Sequence, residues 1–553
     1  MPHYDLLIIG GRIIDGTGNP WFYGDLAITG ECIAQVAPPG TIDLASATAV
    51  IDATNHVISP GFIDIQSHSI IPWLTDRRSL SKVTQGVTTE ILGEGWTPAP
   101  FGGQIESIFA GVIAGMVDQD VAEEWDSLAK GWSRFGDWLA EYERRGVSVN
   151  FGSFLGGGTI RQYACGTRMG DPTPEELAEM ERITDEAMED GAFGVATALI
   201  YPPDAYSTTQ DLIAIMRVVA AHNGVHITHM RSEGDLIFDG FAETLEIAEQ
   251  TGVATEIYHL KVMGKENWPK MAQIIRQITE ARNAGLDIAA DMYPYDGGGT
   301  GITACLPPWT AADGKLFQNI VDPELRPKIL AEMTNPDTDW ENLGLKSGPE
   351  NVIVADLQQP ETIMYRGWTL DRIAEDLGMP WPETVLHLLA IEQHRIFTMF
   401  RGMTESNIEL QVKQPWIKFS TDAGGYDPAI WAEHGPTHPR SYGTYTRVIG
   451  RFVRDYGWLT LEDAIRKSSS AVADRLGLRD RGMLREGMKA DVVVFDPETV
   501  NDVATYTDSH QLSVGIRDVF VNGNAVLRDG VHTGAMPGQR VNGPGYRAEG
   551  GEG

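Results

Sequence analysis

The residues of this chain best suited to chemistry are three histidines and two carboxylates: His68, Glu94, His229, His259 and Asp422. Each stands at or just past the end of an apolar, strand-like run. Gln66-Ser67-His68 follows 57–65, Gly93-Glu94-Gly95 closes 87–93, His229 and His259 close 225–229 and 253–259, and Asp422 follows 416–421. Two imidazoles and a carboxylate suit zinc, with one position left open for water. Zinc lowers the pKa of a bound water from about 15.7 to roughly 7, which makes a nucleophile at neutral pH. Asp422 is the candidate to orient that water, accept its proton and pass it to a leaving nitrogen. Taken singly, each histidine suits a structural polar role, and Asp422 suits an Asx turn opening Asp422-Ala423-Gly424-Gly425. Their joint placement at strand ends favours a site.

Those strand ends need a scaffold. Eight apolar runs, 57–65, 87–93, 149–155, 192–197, 225–229, 253–259, 286–292 and 416–421, alternate with helical segments. That alternation marks a parallel sheet, and eight repeats of it mark an α/β fold, a (β/α)8 barrel with its chemistry at the C-terminal strand ends. The clearest helix spans 174–190, with Thr173 as N-cap, Pro174 first, Glu176 closing a capping box and Gly191 as the stop. Outside the barrel, short strands with glycine turns fill both ends of the chain. Asn522-Gly523 between two apolar runs is a strong hairpin signal. Neither end has enough apolar surface to stand alone, so residues 1–57 and 485–540 are expected to build one small β-sandwich. The metal-dependent barrel would occupy 58–484, with helical insertions near 97–146 and 310–415 as lids or a small lobe, and 541–553 would be a flexible tail.

Composition narrows the function. The 553 residues, 42% hydrophobic and 22% charged, are those of a soluble globular protein. With 77 acidic against 43 basic residues the formal charge is −34, which opposes contact with phosphate backbones and anionic membranes. The partner expected is a small-molecule amide substrate, with no nucleic acid and no membrane; a homo-oligomer is left open. The opening apolar run, 5–10, has no basic region before it and is too short for a signal or spanning helix. Cys32, Cys165 and Cys305 form no CxxC and fit a reducing, cytoplasmic compartment. Gly10-Gly11-Arg12 lacks the spacing and the helix of a nucleotide-binding loop.

Longer motifs add to this reading. They include Pro60-Gly61-Phe62-Ile63-Asp64, Gln85-Gly86-Val87-Thr88-Thr89, Tyr201-Pro202-Pro203, Thr228-His229-Met230-Arg231-Ser232-Glu233, His259-Leu260-Lys261, Tyr293-Pro294-Tyr295 and His438-Pro439-Arg440. Together they span nearly the whole chain, which resembles the amidohydrolase superfamily and, within it, the D-aminoacylase (N-acyl-D-amino-acid deacylase) family. The resemblance implies a tight zinc site on His229 and His259, a weaker site on His68 and Asp422, and a substrate carboxylate held by Lys261, Tyr293 and Arg440. It also implies cleavage of an N-acyl-D-amino acid. An arginine fork, an ammonium and a phenol do converge well on a carboxylate.

Two departures from that family stand out. Where it carries His-x-His, this chain has Gln66-Ser67-His68, and where it carries a zinc-binding cysteine in Gly-Asn-Cys-Gly, this chain has Gly93-Glu94-Gly95-Trp96. Glu94 is expected to take the cysteine's place, one residue earlier on a longer arm, as a ligand that could bridge two metals. Gln66 offers only a neutral amide oxygen, so one zinc should be tightly bound and the second weak or absent. His68 then becomes a positioning group or proton relay, and Gln66 a substrate contact. Trp96, with Trp73, Trp268 and Trp309, could receive a bulky group at the barrel mouth. Alternative readings are hydrolysis of another amide, a carbamate or a lactam, and a metal-free, non-catalytic assembly module.

Overall fold

The computed structural model describes residues 3–107, 109 and 117–547. Eight parallel strands form the barrel: β1 (Phe62–Asp64), β2 (Val87–Leu92), β3 (Asn150–Ser153, continued by Leu155–Gly156), β4 (Gly194–Ala198), β5 (Val225–His229), β6 (Ala254–Ile257), β7 (Ile288–Met292) and β8 (Ile417–Phe419). Each pairs with the next in parallel register. Closure from β8 back to β1 is made just past the strand ends, where Ser67 bridges Ala423 in parallel. Two backbone bonds secure it, Asp422 N–H to the Gln66 carbonyl at 3.0 Å and His68 N–H to the Ala423 carbonyl at 3.1 Å. The seam of the barrel therefore lies at the residues proposed for chemistry.

Strand alternation sorts the barrel side chains. Ile63, Ile65, Ile91, Ala196, Val225 and Ile227 pack in one buried cluster, and Val472 and Leu476 join it. Val225, Ile227 and His229 alternate along β5, so the same period that buries the two apolar residues brings His229 to that face. A second buried region is polar: Lys418 of β8 lies 2.8 Å from Glu256 of β6, with Arg475 at 2.9 Å from the same carboxylate. The helix expected at 174–190 forms over Pro174–Glu189, with Thr173 and Glu176 exchanging capping bonds and with Met180, Ile183 and Ala187 buried.

The two chain ends meet in a nine-stranded sheet among the described residues. Tyr4–Ile13 pairs with Phe22–Thr29 on one side. On the other it pairs with Ala47–Asp52 through its first half and with Val57–Pro60 through Arg12 and Ile13, so the sheet divides along this strand. Val57–Pro60 also pairs with Val492–Phe495, which leads to the hairpin of Ile516–Val521 and Asn524–Arg528. At its turn Asn522 and Gly523 have φ of 47° and 75°, the left-handed pair that this tight hairpin requires. This is a β-sandwich built from both termini beside the barrel.

Three sequence expectations change. The run 57–65 is two strands: Val57–Pro60 belongs to the terminal sheet and Phe62–Asp64 to the barrel. Gly61 allows the switch, because a Cβ there would stand 2.1 Å from Thr88 Oγ1. The second insertion holds more than helices. Gly297–Gly301, Phe397–Arg401 and Val352–Val354 form an antiparallel three-stranded sheet over a separate apolar core. Of the expected flexible tail, residues 541–547 are tied down by bonds from Val541 to Phe151, Gly543 to Gly191 and Arg547 to Glu189; residues 548–553 lie outside the described residues. The first insertion, as far as it is described, contributes helices Gln119–Ala129 and Phe135–Arg145, whose Trp125, Trp138 and Tyr142 are buried. No helix among the described residues is long and apolar enough to cross a membrane.

Candidate metal centre

The turn after β2 presents Glu94. Gly93 and Gly95 flank it at φ of 107° and 62°, and a Cβ at Gly93 would meet the Phe154 carbonyl oxygen at 2.2 Å. Only glycine fits on both counts. The carboxylate so presented is shared between two groups of donors. Oε1 lies 3.4 Å from His229 Nδ1 and 3.3 Å from His259 Nε2. Oε2 lies 3.0 Å from His68 Nε2 and accepts from Gln66 Nε2 at 2.5 Å. Among the described residues two sets could hold a cation, Glu94 with His229 and His259, and His68 with Glu94 and Asp422, each with ligand atoms within 4.8 Å of one another. Glu94 belongs to both.

His259 and Asp422 sit at φ of 34° and 50°, a left-handed backbone that is unusual outside glycine. Such local strain is held only where the surroundings fix it, and it gathers at functional sites. His259 is fixed through its N–H, which donates to Asp291 Oδ1 at 2.9 Å. Asp422 is fixed by the barrel seam and by its partners, Arg440 at 2.7 Å from Oδ2 and His68 at 2.9 Å from Oδ1.

Burial alone would raise the pKa of both site carboxylates. For Glu94 the three imidazoles outweigh it and hold the group well below the usual carboxylate range. For Asp422, Arg440 and His259 do the same. Burial opposes a charge on His68, yet bonds to Asp422 and Glu94 push it up to about 9. At His259 burial and Lys261 oppose the charge, while Glu233 and Asp422 outweigh them and raise it to about 10. The clustered carboxylates favour charge on these imidazoles, and a metal binding there must displace those protons.

Glu233, four residues past His229, was quoted in a sequence motif without a role. It is buried, with Oε2 3.2 Å from His229 Nε2 and Oε1 3.2 Å from His259 Nδ1, in each case the ring nitrogen turned away from Glu94. Histidine ligands typically give their second N–H to such a carboxylate, which fixes ring and tautomer. Lys261 joins the same group, 2.6 Å from Glu233 Oε2 and 2.7 Å from His259 Nδ1.

The expected substrate contacts fall as follows. Lys261 and Arg440 both approach the ring of Tyr293, at 6.0 and 4.6 Å from its centroid. The Tyr293 hydroxyl has no hydrogen-bond partner among the described residues. All three line a cavity of about 940 Å³ that also contains His68, Glu94, His229, His259, Asp422 and Trp96. Trp309 lines it as well, whereas Trp73 is buried in the core with its N–H on Ser79 and Trp268 gives its N–H to the Gly402 carbonyl. Gln66 is corrected: it is 1% exposed and stands behind Glu94, outside the cavity lining. Also missed was Tyr201, a cavity residue whose ring lies 5.4 Å from that of His229. Lys82 was missed too; fully buried, it donates to Asp64 and to the Ala423 carbonyl at 2.6 Å and to the Thr421 hydroxyl, joining the ends of β1 and β8.

A model of the amidohydrolase family matches residues 423–527. Over 541 residues, 97% of this chain and 97% of the relative, the sequence is 32% identical to the D-aminoacylase of Alcaligenes xylosoxydans xylosoxydans. It is 31% identical to the N-acyl-D-glutamate deacylase of the same organism, over 95% of this chain and 93% of the relative. Among solved structures it is similar to the N-acyl-D-glutamate deacylase from Bordetella bronchiseptica complexed with zinc and a phosphonate inhibitor. That match has a TM-score of 0.78 and 27% identity, and covers 98% of this chain and 100% of the other. With 32% identity over 97% of both chains, the chain belongs to the D-aminoacylase family of amidohydrolases.

Proposed function

We propose that the protein is a zinc-dependent hydrolase of N-acyl-D-amino acids, with a preference for a bulky apolar acyl group or side chain. The observation that carries this reading is the convergence of Glu94 Oε1, His229 Nδ1 and His259 Nε2. One carboxylate and two imidazole nitrogens, backed by Glu233, fit one zinc. Bound there, zinc would supply Lewis acidity toward the amide carbonyl and an activated water at neutral pH.

The chain's own residues do the rest. Asp422, kept ionised by Arg440, takes the proton of the attacking water and returns it to the leaving nitrogen. His68, on the other Asp422 oxygen, orients that carboxylate. Lys261, Arg440 and the unpartnered Tyr293 hydroxyl hold the substrate carboxylate, and so fix which amide faces Asp422. Part of the remaining wall, formed by Trp96, Leu199, Leu306, Trp309, Phe397 and Phe400, is apolar and suits a large hydrophobic group. A cytoplasmic setting is part of the proposal, and the three cysteines are free thiols.

A panel of N-acetyl-D- and L-phenylalanine, N-acetyl-D- and L-glutamate, a carbamate and a lactam tests it, with products identified by mass. We expect cleavage of the D-phenylalanine derivative with kcat/KM at least about tenfold above the D-glutamate derivative, a difference within reach of apolar pocket contacts. Equal cleavage of the L series, or cleavage of the lactam alone, would refute the assignment.

A further inference from the structure

Gln66 and Glu94, which follow neighbouring strands of the barrel, touch each other. Gln66 Nε2 stands 2.5 Å from Glu94 Oε2. An amide oxygen in that place would face an ionised carboxylate with no proton between them, so the amino end must point at Glu94. At the opposite end Gln66 Oε1 lies 3.3 Å from the Ser420 hydroxyl, whose single proton goes to the nearer Asp291 Oδ1 at 2.6 Å. The Gln66 carbonyl accepts the Asp422 N–H across the barrel seam at 3.0 Å. With its amide nitrogen bonded to Glu94 and its backbone in the seam, the side chain turns toward the site an amino group, which cannot coordinate a cation.

We infer that Gln66 is a positioning residue for Glu94. Its N–H fixes the turn of the carboxylate so that Oε2 stays on Gln66 and His68 while Oε1 points between His229 and His259. A glutamate places its oxygens through three rotatable bonds, and the donated bond removes part of that freedom. The glutamine and the glutamate thus work as a pair, in which position 66 directs the ligand at position 94. The inference rests on the zinc reading above and concerns which residue sets its affinity.

The test is a double-mutant cycle on metal affinity with the full-length protein. Zinc affinity is read by chelator competition and geometry by the visible absorption of the cobalt(II) form. Gln66→Ala and the volume-conserving Gln66→Met, which lacks the donor, should each weaken zinc binding about ten- to a hundredfold and shift the cobalt spectrum, the usual cost of losing a bond behind a ligand. In a Glu94→Ala background, Gln66→Met should change the affinity less than about twofold. Gln66→His, which restores a ring N–H, should recover part of the cobalt spectrum. Equal losses in both backgrounds, or an unchanged affinity in Gln66→Met with Glu94 present, would overturn the coupling while leaving the zinc site standing. A wild-type protein that binds no metal would instead sink the proposed function.

Discussion

Asp422 has the most demanding position of any side chain here. It is buried, left-handed in its backbone, and held between a guanidinium at 2.7 Å and an imidazole at 2.9 Å. An amide in its place keeps the shape and loses the basicity. Asp422→Asn should therefore retain zinc and lose hydrolysis by about a hundred- to ten-thousandfold in kcat, as expected when a general base is removed; metal content and turnover on the same sample check this. Glu233 has a different task. Glu233→Gln removes the charge that lies 3.2 Å from both histidine rings and is the partner of Lys261. Zinc affinity should fall about ten- to a hundredfold by chelator competition, while kcat at saturating zinc changes far less. His229 and His259 were legible because each ends an apolar strand, and Glu94 because it stands where the family has another ligand. Glu233 was harder to read. It lies in a loop beyond β5, and its spacing of four from His229 signals proximity only once the loop is known to curl back. Lys82 gave no signal, since its partners at Asp64 and at Thr421 and Ala423 lie near opposite ends of the barrel sequence.

Elements position these groups through their periods and their interruptions. The eight strands, the capped helix at Pro174–Glu189 and the Asn522-Gly523 hairpin all follow from local pattern. The strand Gly297–Gly301 was missed because glycine carries no apolar period, although its backbone accepts from Arg440 at Gly299 and from His438 at Gly297. Likewise 57–65 reads as one run, since both parts are apolar and only Gly61 marks the change of sheet. On β5, His226 alternates with His229 and is buried, with Nε2 3.2 Å from Thr197 Oγ1 on β4. Burial depresses its pKa to about 3. Folded, it stays neutral where the unfolded chain takes up a proton, so its contribution is whole above about pH 6.5 and is lost as pH falls toward 3. In denaturant titrations between pH 7 and 4, wild type should lose up to about 1.4 kcal/mol more per pH unit than His226→Gln. Equal slopes would show that the histidine is protonated in the fold.

At the scale of the molecule, a chain of formal charge −34 concentrates Lys261 and Arg440 around one tyrosine at the cavity wall, where the proposed reading places the substrate carboxylate. The terminal sheet, the barrel and the inserted lobe each contribute a wall or a support. The lobe brings Phe397 and Phe400 to the cavity, and the closing stretch 541–547 is bonded to the barrel at Phe151, Gly191 and Glu189. That whole assembly converges on one carboxylate, Glu94, set between His229 and His259 on one side and His68 and Gln66 on the other. Zinc titration of the chelator-stripped protein, with hydrolysis of N-acetyl-D-phenylalanine followed at each addition, tests this most directly. Activity should rise linearly and reach its plateau at one zinc per chain, and Glu94→Ala should abolish the tight phase. A plateau that requires two zincs, or a tight phase that survives in Glu94→Ala, would contradict a single catalytic zinc on Glu94, His229 and His259.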